Sequence, residues 1–365
     1  MTDPELKKTA LNVIHRQLGA RMVDFAGWDM PVQYAGPMAE HFAVRTKAGI
    51  FDVSHMGELE IKGPNAAETL QKLTCNDLNR MAVSQCQYSA LMTPQGTFVD
   101  DLVIYRKAPD HFFLCVNASN QEKDYGWIRG NALPNTEVIF RSNDFSQLAI
   151  QGPRAVEILQ PLTGIRLAGI KPYWFAEGKL AGVEVMISRT GYTGEDGFEV
   201  YCSPVDTEAV WTRIMDSGRP LGLEPAGLAA RNTLRLEAKM MLYGNDIDST
   251  TTVLEADMGW ICRLEKGDFL GRDVLLQQRK SGLKRLLVGF EMIERGIARD
   301  HYPVQFNGQP IGAVTSGSPA PFLRKNIGLA YLPTELKAVG TEFSVIVRDK
   351  PVKARVVPTP FYRRA

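Results

Sequence analysis

The pattern of apolar and polar positions divides the chain into two parts of different character. Up to about residue 275, segments with helical and strand spacing follow one another irregularly, without the steady strand–helix–strand rhythm that builds a parallel sheet. A helix is predicted over 39–47, then a strand over 58–62 in which apolar and polar residues alternate. Pro64 suits the first turn of a helix reaching about Leu73. Strands are predicted over 87–92 and 97–106, joined by the turn residues TPQG, with a third over 111–116. An amphipathic helix follows at 120–129. The strand at 147–151 ends in Gly152-Pro153, which opens another helix. Strands at 183–188 and 198–202 flank a glycine-punctuated loop, and helices at 206–215 and 226–238 complete this part.

From Lys284 the pattern shortens to KRLLVGFEM, YPVQF, QPIGAV, NIGLAYL, TEFSVIV and KARVV, separated by Gly and Pro. Six short strands at this spacing predict a small antiparallel barrel or sandwich. The polar, helical stretch 271–282 is the expected connector. The fold class expected is α+β with an all-β C-terminal domain.

Length and charge narrow the function. The 365 residues exceed the roughly 250–300 at which one core splits into domains. With 42 basic against 41 acidic residues, no basic surplus offers a nucleic-acid footprint. The five cysteines are scattered, odd in number and free of CxxC, so reduced thiols are expected rather than disulfides or a zinc site. The five histidines, at 15, 41, 55, 111 and 301, never fall at metal-ligand spacing, and no metal is expected. No apolar run approaches the ~20 residues of a membrane span. The opening MTDPELKKTALNVIHRQLGARM contains acids and resembles neither a secretory signal nor a transit peptide. A cytoplasmic protein, or the mature form of an organellar one, is expected.

Cofactor motifs are missing. There is no GxxxxGK[ST] loop, GYTGEDG is not GxGxxG, and Ser316 lacks a GxSxG elbow. What remains is acids, aromatics and arginines beside glycine turns. In TFVDDLVIYR, Asp101 shares a strand face with Val99, Val103 and Tyr105, while Asp100 lies with Leu102 and Ile104. The two carboxylates therefore cannot act as one dyad. A charge on such a face must be paired, exposed at an edge, or functional, and Asp100 is expected at a surface or edge. In RTGYTGEDGFEVY, Gly191, Gly194 and Gly197 permit close backbone approach, Tyr192 and Phe198 supply flat surfaces, and Glu199 offers a carboxylate for an amidine-like edge. A plain hairpin loop with a satisfied glutamate has the same composition. In GLAARNTLRLEAKMMLYGNDID, Arg231 and Arg235 stand at i and i+4, with Glu237 two residues on. They fit either an anionic ligand or a salt-bridged face.

These segments occur together in a characteristic order. MVDFAGWDMPVQY, AVRTKAGIFDVSHMGELEIKGP, VDDLVIYR, VNASNQEKD, IQGPRA, SRTGYTGEDGFE, ARNTLRLEAKMMLYGNDID, TSGSPAP, IGLAYL and PFYRRA span nearly the whole chain. Their series resembles the glycine-cleavage T-proteins. The resemblance implies a three-domain cloverleaf of antiparallel sheets with flanking helices around a central folate cavity. It divides the chain into residues 1–275, in two interleaved subdomains (1–52 with 140–245, and 53–139 with 246–275), and a barrel at 280–365. It implies an aminomethyltransferase with tetrahydrofolate as co-substrate, lipoylated H-protein as partner, and neither metal nor flavin. The carboxylate matching Glu199 would read the pterin edge, and the one matching Asp101 would lie near the reacting nitrogens. Tyr88, Tyr105, Tyr192 and Met56 match positions lining the folate, and Arg231 matches an arginine near the substrate. This chain departs from the family at Gln95-Gly96-Thr97, where a glycine pair is usual, and at Met240, where relatives carry an aromatic.

Two rival readings are weighed against it. A folate-binding paralogue of iron–sulfur protein maturation carries K-G-C-x-x-G-Q-E, whereas KGDFLGRD here places Asp268 where that cysteine would stand. Dimethylglycine- and sarcosine-type oxidoreductases carry a flavin region for which this chain has neither length nor fingerprint.

Overall fold

The structure is a computed structural model that describes residues 5–364. The first four residues of the N-terminal segment read above for targeting character lie outside them. The chain divides into two compact units. One comprises the stretch ending at Thr69 with Arg80–Gln87 and Leu102–Asn232; the other comprises Leu70–Asn79, Tyr88–Asp101 and everything from Thr233 onward.

A six-stranded sheet organises the first unit. Its order is Phe175–Leu180, Val183–Ser188, Gly197–Cys202, Ser146–Gln151, Ala48–Asp52 and Leu223–Pro225. Neighbours run antiparallel except the last pair. Every residue of the two central strands Gly197–Cys202 and Ser146–Gln151 is buried, so the two faces differ by chemistry rather than by exposure. Leu148, Ile150, Phe198 and Val200 point into an apolar core with Val210, Trp211, Ile214 and Met215 of the helix Thr207–Gly218. The alternate positions Gln147, Glu199 and Tyr201 turn to the opposite face, as the two-residue period of a strand requires. That face carries the candidate site.

The five-stranded sheet has the order Cys86–Met92, Phe98–Ala108, His111–Val116, Gly57–Lys62 and Glu137–Phe140. Within the first unit, Gly57–Lys62 pairs antiparallel with His111–Val116 on one side and Glu137–Phe140 on the other. The strand expected to alternate at 58–62 is instead buried over its first five residues, because helix Gln121–Asn131 packs near it. Strand Ala48–Asp52 carries no alternation, being buried throughout, and no expectation covered it.

In the second unit the six C-terminal strands close into a barrel: Arg285–Met292, Lys325–Pro333, Gln309–Ala320, Pro303–Phe306, Glu342–Val347 and Lys350–Val357. Closure removes the sheet edges. Val288, Phe290, Val304, Val314, Phe343, Val345, Ala354 and Val356 fill the interior. The connector is the helix Arg272–Ser281, bounded by Gly271 and Gly282 at φ 81° and 84°. Among the described residues no helix is long and apolar enough to cross a membrane, and no group of three metal-ligating acids, histidines or cysteines occurs.

Candidate active site

Glu199 sits at the middle of the polar sheet face and is 7% exposed. Its Oε1 accepts from Gln147 Nε2 at 2.9 Å and its Oε2 from Thr190 Oγ1 at 2.6 Å. Both partners follow from register: Gln147 stands opposite Tyr201, two residues along from Glu199, and Thr190 lies just past the strand Val183–Ser188 that pairs with Glu199 through Ser188. Burial raises the Glu199 pKa, against the opposing effects of Thr190, the Arg231 charge and Gln147. Gln147 Nε2 also donates to Tyr201 OH at 3.0 Å, and Tyr201 OH meets Tyr105 OH at 2.9 Å. Tyr105 is wholly buried among Phe113, Phe175 and Tyr201. It is joined to the carboxylate through Tyr201 and Gln147.

The glycine-rich loop owes its composition to a neighbour on the same sheet. Gly194 takes φ +81°, and a Cβ on Gly191 would fall 2.0 Å from Gln151 Oε1. Gln151 holds the loop by donating to Thr190 O at 3.1 Å and accepting from Thr193 Oγ1 at 2.9 Å. Arg189 clamps Asp196 through Nε and Nη2, at 2.8 and 2.5 Å. Arg45 Nη1 fixes Thr193 O and Glu195 at 2.7 and 2.8 Å. Close approach there serves a rigid loop, which in turn presents Tyr192.

Arg231 lies with its guanidinium 4.7 Å from the centre of the Tyr192 ring. The residue is only partly buried, but its Nη1 is enclosed and has no hydrogen-bond partner among the described residues. Burial lowers its pKa, opposed by Tyr192 and Glu199. Met56 packs against the cluster of Tyr105, Phe113 and Tyr201.

Asp101 and Tyr88 belong to the second unit. Tyr88 OH donates to Asp101 Oδ2 at 2.8 Å, and the Tyr88 ring stacks on Trp260 at 6.0 Å with planes 30° apart. Asp101 is 9% exposed. Asp100 is 0% exposed. That corrects the expected surface or edge position: the strand Phe98–Ala108 is covered on both faces along this stretch, so opposite faces do not mean opposite exposure. Arg235 is closed to any ligand role. Its Nη1 donates to Asp246 Oδ2 at 2.6 Å and its Nη2 to Ser316 Oγ at 2.7 Å.

Two groups of this neighbourhood escaped the sequence reading, although both lie within DVSHMGELE. His55 is 2% exposed, and its Nδ1 has no hydrogen-bond partner among the described residues. Burial and the Arg231 charge push its pKa down to about 4, against Asp52. Glu58 is fully buried with both carboxyl oxygens unpartnered, and burial alone drives its pKa far up. Unpartnered buried polar atoms are rare in folded proteins, and His55, Glu58 and Arg231 each carry at least one in this unit.

Comparison with known proteins places the chain in a family. The GCVT N-terminal domain model matches residues 11–266, and the glycine cleavage T-protein C-terminal barrel domain matches 285–363. An aminomethyltransferase of Acidobacterium capsulatum is 52% identical over 366 residues, covering 98% of this chain and 97% of that protein. One from Desulfitobacterium hafniense is 52% identical over 362 residues, covering 99% of each. The crystal structure of glycine cleavage system aminomethyltransferase T from Bartonella henselae superposes with a TM-score of 0.92 at 33% identity, over 98% of both chains. With both domain models matched in order and half of its residues shared along the whole length, the chain belongs to the glycine cleavage T-protein family of aminomethyltransferases.

Proposed function

We propose that this aminomethyltransferase takes the one-carbon unit from an aminomethyl group on the lipoyl arm of H-protein. Tetrahydrofolate is the acceptor; ammonia and 5,10-methylenetetrahydrofolate are the products, with the lipoyl arm left reduced. The observation that carries the folate reading is the Glu199 carboxylate. Two carboxylate oxygens offer about four lone-pair sites, and Gln147 and Thr190 occupy one on each oxygen. The remaining pair suits two adjacent N–H donors, the edge a pterin presents. Burial raises the cost of leaving that charge uncompensated, so the donors are bound strongly.

Asp101 has the complementary task. Loss of ammonia from a thioaminal leaves a sulfur-stabilised, thionium-like carbon, and a preoriented carboxylate stabilises that charge and takes a proton from the attacking nitrogen. Tyr88 fixes its orientation. Tyr192 and Met56 line the folate, Tyr105 is joined to Glu199 through Tyr201 and Gln147, and Arg231 directs its unpartnered donor to the substrate. The reading calls for neither metal nor flavin; much of the rate comes from holding two substrates together. To the same reading belong the cytoplasm as compartment and the division of the chain into residues 1–275 and 280–365.

The test is a coupled assay with aminomethylated H-protein and tetrahydrofolate. Ammonia release that requires both supports the proposal; release indifferent to tetrahydrofolate, or none, defeats it.

A further inference from the structure

Two of the five cysteines face one another in the second unit. Cys75 follows the helix Ala66–Leu73, and its amide donates to Ala90 O at 3.1 Å. Its carbonyl accepts from the Arg263 amide at 2.9 Å, and its Sγ lies 3.9 Å from Ile261 O. The residues on both sides of Cys262 are thus tied to Cys75, and each of the two thiols bears on the ionisation of the other. A disulfide needs its two Cα atoms within roughly 4.4–6.8 Å, and the backbone contacts on both sides of Cys262 bring its segment against Cys75.

A cation stands beside the pair. Lys266 Nζ donates to the carbonyls of Gln71, Thr74 and Asn76 at 2.6, 2.6 and 2.7 Å. Burial brings its pKa down to about 8 even though the neighbouring Cys75, Asp77 and Cys262 favour its charged form. Three carbonyl acceptors also require three protons, so the ammonium is the form bound here. Burial resists ionisation of Cys75, but the Cys262 hydrogen bond, the Ala90 backbone and the Lys266 charge together draw its pKa below the ordinary thiol value. The other cysteines differ. Burial raises Cys86, Cys115 and Cys202, Cys115 contacts Gln147 Oε1 at 3.6 Å, and Cys202 contacts Thr207 Oγ1 at 3.8 Å. Cys75 is fully buried, whereas Cys262 is 8% exposed and lies two residues from Trp260, which is 62% exposed, so Cys262 is the nearer of the two to solvent.

We propose that Cys75 and Cys262 are a redox modification site, closing to a reversible disulfide when the protein meets hydrogen peroxide. The Cys75 thiolate attacks one peroxide oxygen; the O–O bond breaks and the departing hydroxide takes up a proton as water. Cys262 sulfur then displaces hydroxide from the sulfenic acid, its thiol proton leaving with that hydroxide as a second water. Two thiols lose two electrons and peroxide is reduced to two waters. The link ties together the two segments that hold Tyr88. Asn76, next to Cys75, donates to Tyr88 O at 2.9 Å, while Trp260, two residues before Cys262, stacks on the Tyr88 ring. The site stands apart from the transferase reading and does not depend on it.

The test treats the folded full-length protein with hydrogen peroxide, then counts thiols under denaturing conditions and maps peptides. The expected result is joint loss of two thiols out of five, one cross-linked peptide pair containing Cys75 and Cys262, and full recovery with dithiothreitol. Closing so long a loop also raises the Tm of the oxidised form. Cys262→Ser should abolish the cross-link and leave Cys75 oxidised singly. A different pairing, both thiols persisting unlinked, or a link that forms equally well in protein unfolded in urea would overturn the proposal. The wild-type mapping decides the matter even if the variant fails to fold.

Discussion

Arg231 and Arg235 stand one turn apart on the helix Leu228–Glu237, and their surroundings give them opposite tasks. Arg235 is 1% exposed and spends its donors on Asp246, Ser316 and Met240 O. Asp246 in turn accepts from Leu242 N at 3.0 Å and Thr315 Oγ1 at 2.6 Å. Every charge there is compensated inside the protein. Arg231 keeps an enclosed Nη1 without a partner and rests its charge on an aromatic face. One arginine completes a fold; the other holds a donor in reserve. Asp101, held by a tyrosine, and the wholly buried Asp100 are neighbours on one strand in different surroundings. Identical residue types one step apart are told apart by which partners the fold has already supplied.

The strongest way to break the comparison is at the aspartates. Asp101→Asn keeps shape and removes the charge; turnover should fall roughly 10²–10⁴-fold, as for loss of a positioned acid–base group, with folate still bound. Asp100→Asn should instead lower the Tm, with turnover per folded molecule nearly kept. Steady-state rates with thermal melts read both, and equal kinetic losses would mean the roles are misassigned.

Next comes Arg235→Met. Removing one partner of a buried pair strands Asp246 and should cost about 3–5 kcal/mol of stability, measured by denaturant unfolding. A loss below about 1 kcal/mol would put Arg235 in the same class as Arg231.

Glu199→Ala should weaken tetrahydrofolate binding by about 2–4 kcal/mol, a charge-assisted pair plus donors left unpaired. Calorimetry gives the answer, and affinity close to that of the wild type would remove Glu199 from the folate site.

His55 gives a pH signature. With its pKa near 4 in the fold and an ordinary value near 6.5, the folded state binds fewer protons than the unfolded state between those limits. Stability therefore rises with pH through this window and is lost as pH falls from about 6.5 to 4, by up to about 3 kcal/mol. His55→Asn should flatten that slope in unfolding measured across the window. A slope unchanged by the substitution would show that His55 is not the group responsible.

Much of this was legible beforehand, for reasons that differ by region. The barrel announces itself because each strand packs one face inward, so Val288 and Phe290, or Val304, repeat at the period of a strand between turn residues. The strand Ala48–Asp52 does not, since a strand buried on both faces loses its alternation. Glu199 is singled out by the family resemblance, since its glycine turns alone fit a plain hairpin loop equally well. Its partner Gln147 is not, because the register that sets it opposite Tyr201 exists only once two distant strands pair. His55 and Glu58 were invisible as a class: the chain shows a polar residue on a strand or turn, and only packing decides that it is sealed without a partner. Arg231 and Arg235 were correctly placed on one helix, but the choice between ligand and salt bridge depended on Asp246 and Ser316, brought in by other elements.

The smallest expected effect on stability is also the sharpest use of the comparison. Arg231→Ala removes one cation–π contact, worth about 1–2 kcal/mol when desolvated, and strands no buried acid hydrogen-bonded to it. Stability should therefore change by about that amount or less, in contrast to the larger loss at Arg235. Binding should respond more. The Arg231 charge is one of the effects holding the Glu199 carboxyl toward its ionised form, so its removal lets burial push that carboxyl further up and weakens the acceptor for folate. Arg231→Lys restores charge without the planar fork. If charge at Glu199 is what matters, lysine recovers folate affinity; if the free Nη1 directs a substrate group, affinity recovers while turnover stays low. Melting temperature, folate Kd and kcat measured on both variants separate these outcomes. A stability loss at Arg231→Ala as large as that at Arg235→Met, with folate Kd unchanged, would make Arg231 a structural arginine as well.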